Sequence, residues 1–387
     1  MIRRAWLLAL MACSVPVVCV SQESKAPAKA AAAPVAVTDV LDRPAQMSPL
    51  AARRLMQSVA RVGNRLVAVG PRGHIVVSTD GGASWKQAPV PVSSDLTAVY
   101  FPSEKNGWAV GHDGVVLATT DGGETWTKQL DGRAANGILL KHLEGLARDD
   151  PASAELKALL AEAERFMEQG PDKPFLDVWF KDDKNGYVVG AYNLIFATSD
   201  GGKTWEPWFD RTDNPKFLSL YSIRPAAGGL FIAGEAGLVL RFDPAAKRFR
   251  AVPVDYRGSL FGVVDGGGNA VLVFGLRGNV FRSDDGGKTW SKVDSQLPAT
   301  IVSGVRTEKG ALVIADQGGR IALSTDGGKS FNRVKLAKSI PVTAVTDAGA
   351  GKLAFATPVG VLVVDPAAPA AATPGTAAPA TAKPAGG

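Results

Sequence analysis

The residues best placed to do chemistry are five aspartates that recur in one short pattern. In each copy a Ser or Thr stands two residues before the aspartate, two glycines follow it, and a Trp or Phe closes the unit. We call this unit the Asp box. The copies span Ser78–Trp85, Thr119–Trp126, Thr198–Trp205, Ser283–Trp290 and Ser324–Phe331. Repeated carboxylates would suit two kinds of chemistry, acid–base catalysis as in glycosidases and the binding of calcium.

The spacing of the boxes argues against both. Each box has one regularly placed carboxylate, and successive box aspartates stand 41, 79, 85 and 41 residues apart. Turn chemistry explains every fixed position instead: the carboxylate accepts hydrogen bonds from amides one to three residues ahead, and the glycines adopt unusual backbone angles. We therefore predict a structural role for the box residues and one degenerate copy: Asp80, Trp85, Asp121, Trp126, Asp200, Trp205, Asp243, Asp285, Trp290, Asp326 and Phe331.

The elements that carry the boxes repeat about every 41 residues. Asp243 marks a degenerate box midway through one long gap, with Phe249 in the aromatic place, and Asp365 marks another near the end of the chain. A Gly-x-x-Gly turn such as Gly70–Gly73 precedes each box by about ten residues. Four short strands fit each unit, which is the size of a propeller blade. We predict an all-β, seven-bladed β-propeller of four-stranded antiparallel blades spanning residues 46–365.

The other long gap contains an insertion at residues 131–174. Leu96–Gly111 aligns without gaps to Phe175–Gly190, which leaves the extra residues between the second and third blades. Two apolar stripes at helical spacing, separated at Asp149–Pro151, predict an α-helical hairpin. The stripes consist of Leu139, Leu143 and Leu146, and of Leu156, Leu159, Leu160, Ala163, Phe166 and Met167.

The chain begins with an export signal. Arg3 and Arg4 precede an apolar stretch, and we place a signal peptide at residues 1–21, with cleavage as late as residue 26 as an alternative. Residues 22–45 are predicted to form an Ala/Pro-rich linker and the start of ring closure, and residues 366–387 a disordered tail. The expected location is outside the cytoplasm, in the periplasm. An uncleaved membrane anchor and lipidation at Cys13 or Cys19 are alternatives.

Composition excludes several functions. The formal net charge is +6, but the basic residues form no run that could follow a phosphate backbone, so nucleic-acid binding is not expected. Both cysteines lie in the signal segment, and the three histidines fall in different repeats. We therefore expect no metal site and no cofactor.

Function is expected at the Gly-x-x-Gly turns. In a four-stranded blade these turns lie on the face opposite the boxes, where they would ring one mouth of the central channel beside the helical insertion. The candidate binding residues are Arg72, His112, Asp113, Tyr192, Asn193, Glu235, Arg277, Gln317 and Arg320. Solvated turn residues chosen for conformation alone are the alternative interpretation.

The repeat resembles the bacterial neuraminidase-type Asp-box proteins. The longer unit Asn106–Trp126 is similar to the photosystem II stability/assembly factor family, over roughly residues 55–365 without the insertion. The resemblance implies an exported, non-enzymatic propeller that helps a membrane protein complex assemble, and it implies the thylakoid lumen as the location in a phototroph. We expect the chain to act as a monomer. The partner would be a photosystem II subunit or, in another bacterium, a transporter or other envelope complex. It also implies an arginine-rich partner surface, for which Arg72, Arg277 and Arg320 are the candidates.

A secreted glycoside hydrolase of the sialidase kind is the alternative function. It would need three arginines, a tyrosine paired with a glutamate, and an acidic aspartate. Tyr192 and Glu235 lie on the predicted rim, and Asp113 could pair with Glu235 or Asp316, but the arginine set is incomplete. We therefore predict no catalytic residues.

Overall fold

The computed structural model describes residues 38–336 and 339–367. The predicted signal peptide, most of the linker that follows it and almost all of the predicted tail lie outside the described residues. No helix in the described part combines the length and the apolar character needed to cross a membrane.

The described residues form seven antiparallel sheets, numbered here in chain order. Sheets 1 to 3 contain β1 Ser58–Val62, β2 Arg65–Val69, β3 Ile75–Ser78 and β4 Lys86–Gln87; β5 Leu96–Tyr100, β6 Gly107–Gly111, β7 Val116–Thr119 and β8 Thr127–Leu130; and β9 Phe175–Phe180, β10 Gly186–Gly190, β11 Ile195–Thr198 and β12 Glu206–Pro207. Sheets 4 and 5 contain β13 Leu220–Ala226, β14 Gly229–Gly234, β15 Val239–Asp243 and β16 Arg248–Ala251; and β17 Leu260–Gly267, β18 Ala270–Gly275, β19 Asn279–Ser283 and β20 Ser291–Asp294. Sheets 6 and 7 contain β21 Ile301–Arg306, β22 Leu312–Asp316, β23 Ile321–Ser324 and β24 Asn332–Val334; and β25 Ala344–Gly349, β26 Lys352–Thr357 and β27 Gly360–Val364.

Strand order within every sheet follows the chain, and the sheets close into a ring. The first strands of successive sheets contact one another in the order β1, β5, β9, β13, β17, β21 and β25, and β25 contacts β1. The ring is closed through backbone and side-chain hydrogen bonds. Met56 N donates to Thr357 O at 3.0 Å, and Thr343 Oγ1 donates to Met56 O at 2.7 Å. The sheet order and these contacts bring the last sheet against the first.

The apolar core is divided among the seams between sheets. Each of seven buried clusters is built from two neighbouring sheets, and the last of these seams joins sheet 7 to sheet 1. The second strands are almost completely buried because both of their faces lie against neighbouring sheets; Gly107–Gly111 is buried throughout. A box aromatic packs in five of the seams: Trp85, Trp126, Trp205, Trp290 and Phe331.

Sheet 7 differs from the prediction of seven four-stranded sheets. It has three strands among the described residues, and its order ends at β27. The turn after β27 begins at Asp365, whose Oδ1 accepts a hydrogen bond from Ala367 N at 2.9 Å. This turn lacks the paired glycines and the aromatic of the boxes, which explains why the repeat is weak at this end.

Two helices follow β8 and precede β9. Helix α1 spans Gly132–Asp149 and begins at Asp131, whose carboxylate accepts hydrogen bonds from two backbone amides; helix α2 spans Ala154–Gln169 and begins at Ser153. The predicted stripes face inward over most of their length, with Leu139, Leu143, Leu159, Ala163 and Phe166 buried. The prediction also places Met167 in the apolar stripe of α2, but this side chain is 45% exposed.

Candidate functional site

The hydrogen bonds of the Asp box are local. In the second box Thr119 Oγ1 donates to Asp121 Oδ1 at 2.7 Å, and the Glu124 and Thr125 amides donate to the same oxygen at 3.0 Å. Thr125 Oγ1 donates to Asp121 Oδ2 at 2.5 Å. The Asp121 carboxylate therefore accepts from amides three and four residues ahead, whereas the prediction was amides one to three residues ahead. The hydroxyl that follows the box glycines is a further partner that the sequence analysis missed.

These bonds hold the box carboxylates ionised. The pKa of Asp80 is lowered to about 2 by hydrogen bonds, first from the Ser84 hydroxyl and then from the Ser84 amide and the Ser78 hydroxyl. The Thr204 hydroxyl and amide lower the pKa of Asp200 to about 2 in the same way. A carboxylate with both oxygens occupied by its own turn is a poor proton donor near neutral pH. The box geometry therefore supports a structural role.

Each box also lies at its own seam. The second glycine of the box faces the preceding sheet: a Cβ on Gly123 would lie 3.1 Å from Val67, and one on Gly287 would lie 2.8 Å from Phe231. The degenerate copy keeps part of this pattern. Asp243 Oδ1 accepts hydrogen bonds from the Ala245 and Ala246 amides, and Phe249 is fully buried.

The turns between the second and third strands, called here the 2–3 turns, have an exposed or half-buried tip. In five of them a residue other than glycine adopts a left-handed conformation at the tip, including Arg72 at φ 57° and Arg277 at φ 58°. The flanking glycines are required by close approach. A Cβ on Gly275 would lie 2.1 Å from Ser259 O, and one on Gly278 would lie 1.9 Å from Leu297 O.

The predicted binding residues lie on these turns in six different sheets. Arg72, His112, Tyr192, Arg277 and Gln317 are exposed. The other four side chains are half-buried or buried: Asp113, Asn193, Glu235 and Arg320.

Three of these four are half-buried. Glu235 Oε2 accepts a hydrogen bond from Ser219 N at 3.0 Å, which ties it to its own sheet. Arg320 Nε pairs with Asp316 Oδ2 at 2.7 Å, and Asp316 is fully buried. The carboxylates considered for a hydrolase, Asp113, Glu235 and Asp316, therefore lie on three different sheets, and the last two have partners of their own.

Asn193 does not lie on the surface as predicted. It is 1% exposed, and its side chain donates to Phe209 O and accepts from Thr212 and Asn214 at 2.9–3.0 Å. It occupies the place of the second turn glycine at φ 66°, a conformation that asparagine tolerates better than most residues. In other turns a backbone carbonyl from the following segment lies against the glycine at this place; here the side-chain amide of Asn193 donates a hydrogen bond to such a carbonyl, Phe209 O.

The helical hairpin packs on the 2–3 turns of sheets 2 and 3. Helix α1 contacts the His112–Gly114 turn, and the Phe166 ring of α2 meets the Tyr192 ring edge-on at 6.3 Å. Arg165 and Lys173 lie over the Tyr192 ring at 5.5 and 5.8 Å. Tyr192 is therefore both an exposed residue of the rim and an anchor for the hairpin.

A channel runs through the ring between the first strands. A cavity of about 510 Å³ opens beside Leu276 and Gln317 on the 2–3 turns and is lined by residues of all seven sheets. A second cavity of about 960 Å³ reaches the box face. The two share Ser58, Arg224, Ser303, Gly304 and Ala344, so they adjoin along the wall formed by the first strands.

An ion pair in the channel wall is a feature that the sequence analysis missed. Asp177 on β9 is 4% exposed, and its Oδ2 accepts from Arg224 Nη1 at 2.6 Å and from Ile223 N at 2.8 Å. Val178 N donates to Oδ1 at 2.9 Å. Burial raises the pKa of Asp177 against the opposing effects of Arg224 and the two amides. The signal was present in the sequence, because Asp177 stands where the preceding repeat has Ala98.

Aromatic rings flank this pair. The Arg224 guanidinium lies 5.6 Å from the centre of the Tyr100 ring, and Tyr221 and Phe261 pack at 5.0 Å beside the opening of the channel. Within the described residues no three His, Cys, Asp or Glu side chains cluster in a way that could hold a metal ion. The channel therefore offers aromatic and polar surface for binding.

Closed sheets with Asp-box turns and a central channel define an Asp-box β-propeller. The family model for photosynthesis system II assembly factor YCF48 matches residues 58–136 and 162–319, which is more than half of the chain. The chain belongs to this family, as the resemblance of its repeat predicted. The unmatched interval contains all of α1 beyond Asn136 and the first half of α2.

Curated relatives match over short stretches. The chain is 57% identical over 35 residues to photosystem II assembly lipoprotein Ycf48 of Prochlorococcus marinus strain SARG, covering 9% of this chain and 10% of that protein. It is 61% identical over 31 residues to the protein of the same name from strain NATL2A, covering 8% and 9%. The matched stretches thus span a tenth or less of these relatives' length.

Solved structures share the fold. YCF48 bound to D1 peptide aligns with a TM-score of 0.57 and 14% identity over 81% of this chain and 93% of that one. YCF48 from Cyanidioschyzon merolae aligns with a TM-score of 0.57 and 18% identity over 81% and 96%. A streptogramin B lyase aligns with a TM-score of 0.59 and 11% identity over 84% and 98%. At such identities the likeness establishes architecture alone.

Proposed function

We propose that this chain is a non-enzymatic, exported docking factor that helps a membrane protein complex assemble. Its seven sheets act as the blades of one propeller, and the hairpin between the second and third blades modifies the binding face. The partner binds at the channel mouth formed by the 2–3 turns. Family membership supports the assembly role, and the exposed tips of Arg72, Tyr192 and Arg277 supply the contact surface.

The observation that carries this proposal is the state of the one acidic side chain that lines the 510 Å³ cavity at the 2–3 turns; Glu104, Asp265, Glu308 and Asp347 line the other cavity, towards the box face. Asp177 is that side chain, and it is bonded to a guanidinium and two amides. A glycosidase needs two carboxylates about 5–10 Å apart across its substrate. A wall of aromatic rings, hydroxyls and a neutralised carboxylate is instead suited to bind a peptide segment.

The partner is proposed from the names of relatives. One family member of known structure is described as bound to a D1 peptide, and two relatives are named photosystem II assembly lipoproteins. We propose a comparable ligand here, a segment of a photosystem II subunit or of another envelope complex such as a transporter. The corresponding location is the periplasm or the thylakoid lumen, at the membrane surface.

The hydrolase alternative is less well supported. Asp113, Glu235 and Asp316 lie on sheets 2, 4 and 6; Glu235 is bonded to the Ser219 amide, and Asp316 is paired with Arg320. Tyr192 is covered on one side by the hairpin. No observation brings these groups to one substrate.

An affinity capture from native membranes tests the proposal. The wild-type chain should retain a membrane protein complex, and Arg72→Glu with Arg277→Glu should abolish retention because both charges face the partner. Lys288→Glu with Lys329→Glu is the matched control, since this pair makes the same change in net charge in two exposed box turns. Arg320 is left unchanged because its loss would leave Asp316 buried without its ion-pair partner. Equal capture by the wild type and the double variant would refute the proposed docking face.

A further inference from the structure

A further cavity, outside the channel and with three basic side chains in its lining, lies beside the seam between sheets 7 and 1. Its volume is about 750 Å³, and its lining comes from the segment before β1, from the 2–3 turn of sheet 1 and from Pro358. The side chains that matter are Met47, Arg54, Leu55, Arg72 and His74. This cavity is separate from the channel, with which it shares no lining residue.

The basic groups converge and attract no internal counter-ion. Among the described residues, neither the Arg54 nor the Arg72 guanidinium has a carboxylate oxygen within 4.0 Å. The nearby acid, Asp95, uses Oδ1 to accept the Arg72 amide at 2.7 Å. The cavity thus concentrates positive charge that an anion would neutralise.

His74 lines the same cavity as both guanidiniums. Burial lowers the pKa of His74 from 6.5, and the charges of Arg72 and Arg54 lower it further, against a hydrogen bond with the Gln46 backbone and the charge of Asp95. Both guanidiniums therefore act on one half-buried ring. An anion between them would reverse this effect and favour the protonated ring.

Apolar surface adjoins the charges. Met47, Leu50 and Val359 are among the large apolar side chains most exposed in the described residues, at 56%, 45% and 64%. Met47 lines the cavity directly, and Leu55 and Pro358 continue its apolar wall. Exposed apolar side chains beside unpaired guanidiniums are typical of a surface that binds another molecule.

The cavity includes residues outside the range that the family model matches. That range begins at residue 58 and ends at residue 319, so Met47, Arg54, Leu55 and Pro358 fall outside it, whereas Arg72 and His74 fall inside it.

We propose that this cavity binds a carboxylate presented by an extended peptide, with the neighbouring apolar side chain of that peptide packed on Met47 and Pro358. Two planar guanidiniums suit the two oxygens of a carboxylate, which accepts hydrogen bonds from both. The assignment rests on the proposed function only in taking a peptide as the carrier; the recognition of the carboxylate follows from the cavity itself.

Binding of a defined peptide tests this assignment. The probe is acetyl-Ala-Leu-Ala-Leu with a free C-terminal carboxylate, titrated into the purified chain while the ring signals of its three histidines are followed by NMR. We expect the His74 signals to shift and the pKa of His74 to rise on binding. Affinity should increase as the pH falls from about 7.5 to about 5.5, since protonated His74 adds a third positive charge.

Matched variants locate the site. Arg54→Gln and Arg72→Gln should each weaken binding roughly tenfold, the usual effect of losing one charged hydrogen bond. Arg53→Gln is the control, because Arg53 is the exposed neighbour of Arg54 and does not line the cavity. Equal loss with Arg53→Gln, or a shift of His112 or His142 in place of His74, would overturn the assignment.

Two further probes define the ligand. The same peptide with a C-terminal amide should bind at least about tenfold more weakly if the carboxylate is recognised. Octanoate should bind more weakly than the acid peptide; equal affinity would overturn the peptide as the carrier. Capture of a membrane complex without peptide binding refutes this site alone, and peptide binding without any membrane partner refutes the proposed function alone.

Discussion

Single carboxylates in this molecule differ according to whether their partners are local or distant. Box aspartates are tied within their own turn, and their pKa values are low because hydroxyls and amides favour the charged form. Asp177 is tied across two sheets inside the channel, and burial raises its pKa. The same residue type therefore makes opposite contributions to the dependence of stability on pH.

The first prediction concerns the box at Asp200. A pKa of about 2 in the folded chain lies below the ordinary 3.8, so the stabilisation is full above about pH 4 and is lost as the pH falls towards about 2. Asp200→Asn should lower the melting temperature at neutral pH and should make stability less dependent on pH within that window. Calorimetry between about pH 2 and pH 7 measures both effects. A curve for the variant parallel to the wild-type curve would contradict the prediction.

The second prediction concerns the ion pair in the channel wall. Arg224→Gln leaves the buried Asp177 without its cation and should destabilise the fold by about 3 kcal/mol. Arg306→Gln is the matched control, because its pair with Asp265 is far more exposed, and its cost should stay under about 1 kcal/mol. Urea unfolding measures both variants. Similar costs for the two would show that Asp177 does not depend on Arg224.

At this scale the sequence predicted residue types better than residue contacts. The box aspartates, glycines and aromatics were recognised because they repeat, and repetition reports on the local turn. Asn193 was misplaced because its identity hides that it fills a glycine position. The pair of Asp177 with Arg224 joins residues 47 positions apart, and local sequence patterns carry no information on such a distance.

The turns depend on neighbouring glycines with different roles, which gives the third prediction. Gly286 and Gly287 both have positive φ, at 72° and 92°, but a Cβ on Gly287 would lie 2.8 Å from Phe231, whereas one on Gly286 would lie 3.9 Å from Arg241. Gly286→Ala should cost about 1 kcal/mol from backbone strain alone. Gly287→Ala should cost a further 1–3 kcal/mol, roughly, because sheet 4 must also move.

Chemical denaturation of the two variants gives the difference directly. Both substitutions add one methyl group to adjacent residues of one turn, and the larger φ of Gly287 adds backbone strain to its contact with Phe231. An equal cost would mean that the box does not press on the preceding sheet.

Secondary structure was largely predictable because its causes are local. The stripes of α1 and α2 and their break near Pro151 follow from apolar spacing and from a proline. The extra residue in the second stripe, Met167, could not be recognised, since its exposure depends on where the sheets end.

The ring as a whole has seams of unequal strength. The seam between sheets 7 and 1 is rich in small residues such as Ala68, Ala354 and Ala356. The seam between sheets 2 and 3 contains Trp108 stacked on Phe180 at 3.5 Å, together with both helices. Less apolar surface is buried where alanines meet, so opening should begin there.

Hydrogen exchange tests this difference in seam strength. Amides of β26, the second strand of sheet 7, should exchange at least about tenfold faster than those of β10, the second strand of sheet 3, which corresponds to about 1.4 kcal/mol. The two strands occupy equivalent positions, so strand position is controlled. Equal or slower exchange in β26 would show that the closing seam is as strong as the others.

At the scale of the whole molecule, the repeat predicts the architecture but not the lining of the channel or of the cavity at Arg54. Seven units of similar length predict a closed arrangement, because each unit buries its apolar face only against the next. The channel lining and the cavity at Arg54 arise where first strands and the closure segment meet, so no repeat contains either site. Recognition of the family came from the unit Asn106–Trp126, which is local.

Because box hydrogen bonds are local and each core cluster spans one seam, faults in this ring stay contained. A weakened unit disturbs the two units beside it and leaves the others with their own anchors intact. Such redundancy lets individual units diverge. The unit at Asp243 lacks the paired glycines of the other boxes, yet its sheet has four strands in the regular order. One unit can therefore differ in sequence without loss of the closed arrangement.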